Sequence, residues 1–156
     1  MLELSTEGIE DIQSLLDDMD SFELEEFKDE FQKIIVDDEY MRFAMSPSTT
    51  SGGYAYPETA AIYWDKLKES TLKQKPYRRF GNLLIDSETL KNSVTIPNGN
   101  GQFVEVLGKT LTFKTDVEYA GFVQDKRPYL FWHDELINKM RMSVLDYLAQ
   151  SRRGKR

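Results

Sequence analysis

Between Ser21 and Met45 apolar residues recur every three or four positions, at Leu24, Phe27, Phe31, Ile34, Met41 and Met45, with Ile35 widening the row. That spacing places them on one face of a helix. The acidic side chains fall mainly between them, so the helix is amphipathic and its apolar face must pack on something. Asp20 or Ser21 stands where a cap belongs, and Glu23 is placed to complete a capping box. A shorter helix is expected upstream, starting near Ser5 and Thr6, with Ile9, Ile12, Leu16 and Met19 as its stripe. Asp17 to Ser21 separates the two.

Downstream the pattern changes. Residues 46–57 hold Ser, Thr, Gly and Pro without a surviving period and read as a long loop, of the kind that is usually functional. We expect it to touch a neighbouring subunit, with Tyr54 and Tyr56 as candidate contacts. Helical character returns from Glu58 to about Lys75, carrying Ala61, Trp64, Leu67 and Leu72. Ser93–Ile96, Phe103–Leu107 and Thr110–Lys114 are short and rich in β-branched and aromatic residues. Asn98-Gly99 between the first two is a hairpin signal, and Leu107-Gly108-Lys109 marks a second turn. Val117–Val123 reads as a short helix or turn. A last helix carries Ile137, Met140, Val144, Tyr147 and Leu148, with Asp134 and Glu135 in its first turn and Arg152 and Arg153 just past its end. The expected class is α+β: long N-terminal helices and a C-terminal helix packed on a small antiparallel sheet. Within a single domain we expect an acidic helical arm over 1–46, an α+β core over 47–151 and a basic tail over 152–156.

Charge divides along the same line. Residues 1–40 carry fifteen acids against Lys28 and Lys33, whereas the rest carries eighteen Lys and Arg against twelve acids. Opposite potentials on one chain suit head-to-tail contacts between copies, because they steer encounter and fix register. Glu25, Glu26, Asp29 and Glu30 on one side, and Arg78, Arg79, Arg152 and Arg153 on the other, are the candidate interface charges. Cysteine is absent, which removes disulfides, thiolate metal sites and thiol nucleophiles and makes a reducing cytoplasm the expected home. No apolar run approaches the ~20 residues of a membrane helix, and no basic-then-apolar leader pattern opens the chain, so no membrane is expected as a partner.

Catalytic patterns are scarce. His133 is the single histidine, without a second histidine or a cysteine to share a metal, and it reads as a cap or surface residue. No Gly-x-Ser-x-Gly elbow occurs. Asp17, Asp18 and Asp20 begin like a calcium loop but lack its glycine and terminal glutamate. Arg78-Arg79 beside Tyr77 and Phe80 would suit a phosphate backbone, yet the acidic chain favours only non-specific contact with DNA. Trp64 and Trp132 read as core residues. No catalytic residue, metal or cofactor is expected.

Three segments in order carry a resemblance. Trp64-Asp65-Lys66-Leu67 is followed by Ser70-Thr71-Leu72-Lys73; Leu83-Leu84-Ile85-Asp86 leads to Leu90 and Ser93; Val117-Glu118-Tyr119-Ala120 precedes Arg127-Pro128-Tyr129-Leu130. Together they resemble the phage virion-morphogenesis family, which includes Mu-type G-like and P2-type tail-completion proteins and the related HK97-type neck proteins. Where that family usually shows His-Gln-aromatic-Gly after Tyr-Ala, this chain has Gly121-Phe122-Val123-Gln124, and the glycine-rich loop before Arg-Pro is reduced to Asp125-Lys126. The resemblance implies a structural virion protein, a neck, head–tail connector or tail-completion (tail terminator-like) subunit. Copies would form a homo-oligomeric ring, on the order of six or twelve copies in closed rotational symmetry. Its partners would be itself, portal, adaptor or tail-tube and terminator proteins, and DNA passing through during genome ejection. It would sit in the virion neck or tail, and in the host cytoplasm during assembly. Two other classes stay open: an acidic DNA mimic or inhibitor that binds a basic partner, and a small enzyme with a cleft around His133.

Overall fold

The computed structural model describes residues 1–86 and 88–154. The fold is α+β. A three-stranded antiparallel sheet has the order β1 (Leu2–Ser5), β5 (Thr110–Thr115), β4 (Gln102–Leu107). Against β4 and β5 packs α2 (Ser21–Ala44), on which α4 (Glu88–Thr95) and α6 (Asp134–Gly154) pack in turn, with α1 (Glu10–Asp17) against α6. A second, two-stranded ribbon pairs β2 (Gly53–Tyr54) with β3 (Tyr63–Trp64). Short helices α3 (Glu69–Gln74) and α5 (Ala120–Lys126), and 3₁₀ turns at Glu58–Ala60 and Pro76–Phe80, complete the chain.

α2 is the spine. The Asp20 carboxylate accepts from the Glu23 amide at 2.8 Å and the Glu23 carboxylate from the Asp20 amide at 2.9 Å, the expected capping box. Leu24, Phe27, Phe31, Ile35 and Phe43 are buried against Leu111 and Phe113 of β5 and Met140 and Val144 of α6 in one core cluster. Residues 1–46 are therefore no separate arm, since Leu4, Ile12, Leu16 and Met19 lie in the same cluster. At the other end, Arg152 and Arg153 belong to the last turn of α6 rather than a tail beyond it, while Lys155 and Arg156 lie outside the described residues.

Several local expectations are overturned. The first element is a strand. Thr6, expected to cap a helix, donates its amide to the Leu111 carbonyl at 2.9 Å and extends the pairing of β1, and the helix begins only at Glu10. Residues 93–96 form no strand. Leu90, Ser93 and Val94 are buried on one helical face of α4, and Ser93 donates to the Leu90 carbonyl at 2.8 Å. Burial outweighs the β preference of Val94 and Thr95. The Asn98-Gly99 turn accordingly joins a helix to β4, and Gly99 is needed there because a Cβ would meet the Asn92 carbonyl oxygen at 2.2 Å. The turn at Gly108-Lys109 does join β4 to β5.

The stretch expected to be helical from Glu58 is mostly extended. Trp64 is buried within the ribbon, and the close crossing requires Gly52, with φ of +68° and a would-be Cβ 2.6 Å from the Trp64 carbonyl oxygen. The long 46–57 loop is tied to its own chain. Thr49 donates its amide to Gly81 at 3.1 Å and accepts from Leu67 at 2.8 Å, and Ala55 donates to Ile62 at 2.8 Å. Tyr54 remains exposed and stacks edge-on with Tyr63, whereas Tyr56 is half-buried and gives its carbonyl to Arg42.

Candidate interaction surfaces

The helical row on α2 does not continue through Met41 and Met45, which are exposed. It continues through Asp38, Glu39 and Arg42, which are buried and bonded to one another, with Oε2 of Glu39 left without a hydrogen-bond partner. Arg42 donates to Asp38 at 2.6 Å, to Glu39, to the Tyr129 carbonyl at 2.7 Å and to the Tyr56 carbonyl at 2.8 Å. Its guanidinium lies 4.2 Å from the centre of the Phe131 ring. His133 is buried, not a surface residue. Its Nδ1 accepts from the Leu136 amide at 3.4 Å as the cap of α6, and its Nε2 lies 2.9 Å from Asp38. Burial works against the charge of Asp38, but the bond to His133 and the nearby Arg42 hold its carboxyl below the usual range. Burial pushes Glu39 up to about 8, against the pull of Arg42 and with the help of Asp38. Both ring nitrogens of His133 are engaged within the fold, so the cluster binds α2 to the 129–133 segment and leaves the imidazole no nitrogen to present to a substrate.

The outer face of α2 exposes Glu25, Glu26, Asp29 and Glu30. Glu25 pairs with Lys28 at 2.7 Å, Glu26 accepts from the Tyr147 hydroxyl at 2.7 Å, and Glu30 accepts from Ser143 at 3.4 Å. The last two bonds fasten α6 to α2, and the face stays acidic. Between the two helices runs a groove of about 600 Å³. Ile34 and Met142 line it with Glu30, Asp37, Asp146 and Lys139.

The segment 65–80 is its electrostatic opposite, with six Lys and Arg against Asp65 and Glu69. Lys66, Lys68 and Lys73 are exposed. Lys75 pairs with Asp86 at 2.7 Å, and Arg79 pairs with Glu69. Arg78 departs from expectation. It is buried and donates to the carbonyls of Ile85 and, at 3.2 Å, Leu83, so it positions the chain and is not an interface charge. Tyr77 and Phe80 point outward, Phe80 with 95% of its surface exposed.

The residues that carry the sequence resemblance are mostly interior. Trp64, Leu84, Leu90, Ser93, Ala120 and Leu130 are buried, Arg127 and Pro128 are half-buried, and Tyr119 is exposed. Gln124, which the sequence marks only as part of a departure from the family pattern, has a structural role. Its carbonyl accepts from the amides of Tyr129 and Leu130 at 3.0 Å each and its amide donates to the Leu130 carbonyl at 2.7 Å, which sets the turn into α6. Gln32 and Gln102 form a second buried amide pair at 2.6 Å. Beside α5 lies a cavity of about 390 Å³ floored by Leu67, Leu83, Leu84 and Leu90, with Arg127 on its wall. Burial and the nearby Arg78 lower the pKa of Arg127.

Among the described residues no group of three or more His, Cys, Asp or Glu is placed to hold a metal ion, and no helix is long and apolar enough to cross a membrane. No family model, no curated protein and no solved structure matches the chain.

Proposed function

We propose that this chain is a structural virion protein of a tailed phage, a neck, head–tail connector or tail-completion subunit that works by assembling into a ring and not by catalysis. The observation that carries the reading is that one chain exposes two surfaces of opposite charge, the acidic outer face of α2 and the net-basic, aromatic 65–80 segment. Such a surface favours heterologous association of identical copies, and a heterologous contact whose rotation closes makes a ring. The ordered Trp-Leu, Leu-Ser and Tyr-Ala/Arg-Pro segments support the phage assignment. An acidic lining would also keep DNA from adhering as it passes.

Complementation tests the reading. A phage lacking this gene product is supplied in trans with the wild-type chain or with Glu25, Glu26, Asp29 and Glu30 all replaced by glutamine. Glutamine can still accept the Tyr147 and Ser143 bonds, so the change removes charge while sparing the helix pairing. The expected result is intact particles with the wild type, and separate filled heads and tails with the variant or with no supply. Unchanged infectivity for the variant would sink the role given to the acidic face, and normal particles without the protein would sink the assignment. The acidic face by itself would also suit a DNA mimic, which predicts tight, salt-sensitive binding to a basic partner and no self-assembly.

A further inference from the structure

Phe80 ends the 3₁₀ turn that closes the basic segment, and its side chain makes almost no contact with its own chain. Arg79, paired with Glu69, is beside it, and Lys73 and Lys75, the latter paired with Asp86, precede it in a segment that stays net basic, with six Lys and Arg against Asp65 and Glu69. A lone exposed aromatic is unremarkable on a soluble protein. What gives this one a destination is the groove between α2 and α6. Its apolar floor is formed by Ile34 and by Met142, itself 52% exposed, and its rim carries Glu30, Asp37 and Asp146 with Lys139 as the one cation among the lining residues. One feature is an apolar knob with a cationic collar. The other is an apolar hole with an anionic rim, and at about 600 Å³ it has room for an aromatic ring.

We propose that Phe80 of one copy docks between Ile34 and Met142 of a second copy, with the net-basic 65–80 segment facing the acidic rim. The inference rests on the ring reading and names the contact that joins neighbours. The contact is heterologous, so each copy uses its knob on one side and its groove on the other, and successive copies generate a ring or a filament. Burying a phenylalanine side chain contributes an amount that corresponds to roughly a 10- to 100-fold gain in association. The charged collar makes the contact weaken as salt rises.

The protein has no cysteine, so single cysteines report proximity cleanly. Gly81→Cys, where a Cβ meets nothing nearer than 3.8 Å, and Asn138→Cys, on the groove, keep Phe80 and Met142 in place; the two variants are purified separately, mixed and oxidised. The expected product is a disulfide-linked dimer in the mixture and little in either variant alone, because knob does not meet knob nor groove meet groove. No dimer in the mixture, or equal dimer in each variant alone, overturns the proposal. In sedimentation velocity Phe80→Ala weakens self-association ~10- to 100-fold with an unchanged circular dichroism spectrum, since the residue supports nothing inside the fold. Wild-type protein that stays monomeric to about millimolar concentration also overturns the contact. Rings that persist in Phe80→Ala defeat this interface while leaving the ring reading intact, and cross-linked copies that grow only as open filaments keep the interface and count against the ring.

Discussion

Arg42→Met is expected to cost about 3–5 kcal/mol of folding stability, more than any other single substitution on α2. The side chain is fully buried and holds Asp38, Glu39 and the carbonyls of Tyr56 and Tyr129 together. Methionine fills a similar length but leaves two carboxyl groups facing each other inside the protein and removes the donor from both carbonyls. The damage is not confined to α2, because Tyr56 belongs to the 46–57 loop and Tyr129 to the turn before α6. Urea unfolding measures it directly. Asp38→Asn introduced into the methionine variant should recover part of the loss, because it removes the charge left without its cation, whereas Glu39→Gln, replacing an acid still protonated below about pH 8, should recover less. A loss under about 1 kcal/mol would mean that the cluster is not the joint described here.

Stability is expected to fall as pH rises from about 5 to 8, by on the order of 2–4 kcal/mol. The direction follows from Glu39. Its pKa in the fold, about 8, lies above the ordinary glutamate value. Between those two values the unfolded chain has released a proton that the folded chain still holds, so each step up in pH favours unfolding. Above about 8 both states are ionised and the fall levels off. Asp38 works in the opposite sense. Its folded pKa is held below the ordinary value, so its contribution is present above that value and disappears as the pH drops through the folded pKa. Together they place maximal stability in the mildly acidic range. Glu39→Gln imitates the protonated acid, so it should flatten the fall toward pH 8 and be more stable than the wild type there. A wild type that gains stability from pH 5 to 8, with no difference in the glutamine variant, would contradict this.

What was legible in the sequence was local. The Asp20–Glu23 capping box, the Gly108 turn between β4 and β5, and the core face of α6 at Met140, Val144 and Leu148 each depend on residues within a few positions of one another. The missed elements depend on distant partners. Leu2–Ser5 becomes a strand because β5, more than a hundred residues away, offers it an edge. Trp64 leaves its helical pattern because Gly52 lets two backbones approach. Met41 and Met45 complete the apolar spacing of the sequence, whereas the buried positions at that end of α2 hold Asp38, Glu39 and Arg42. The interface candidates divided for a similar reason. Glu25, Glu26, Asp29 and Glu30 lie exposed as the spacing required, but Arg78 is turned inward by carbonyls at Leu83 and Ile85 that no pattern announces. The α2–α6 groove draws on residues a hundred positions apart and was invisible until the helices packed.

Assembly through oppositely charged surfaces is the central claim, and light scattering across a size-exclusion peak, with negative-stain images over a range of concentration and salt, tests it most directly. The account predicts a closed ring of uniform copy number that dissociates as salt is raised or the protein diluted. A monomer at every concentration and salt, with tight salt-sensitive binding to a basic protein instead, would contradict it and turn the acidic face of α2 into a decoy surface.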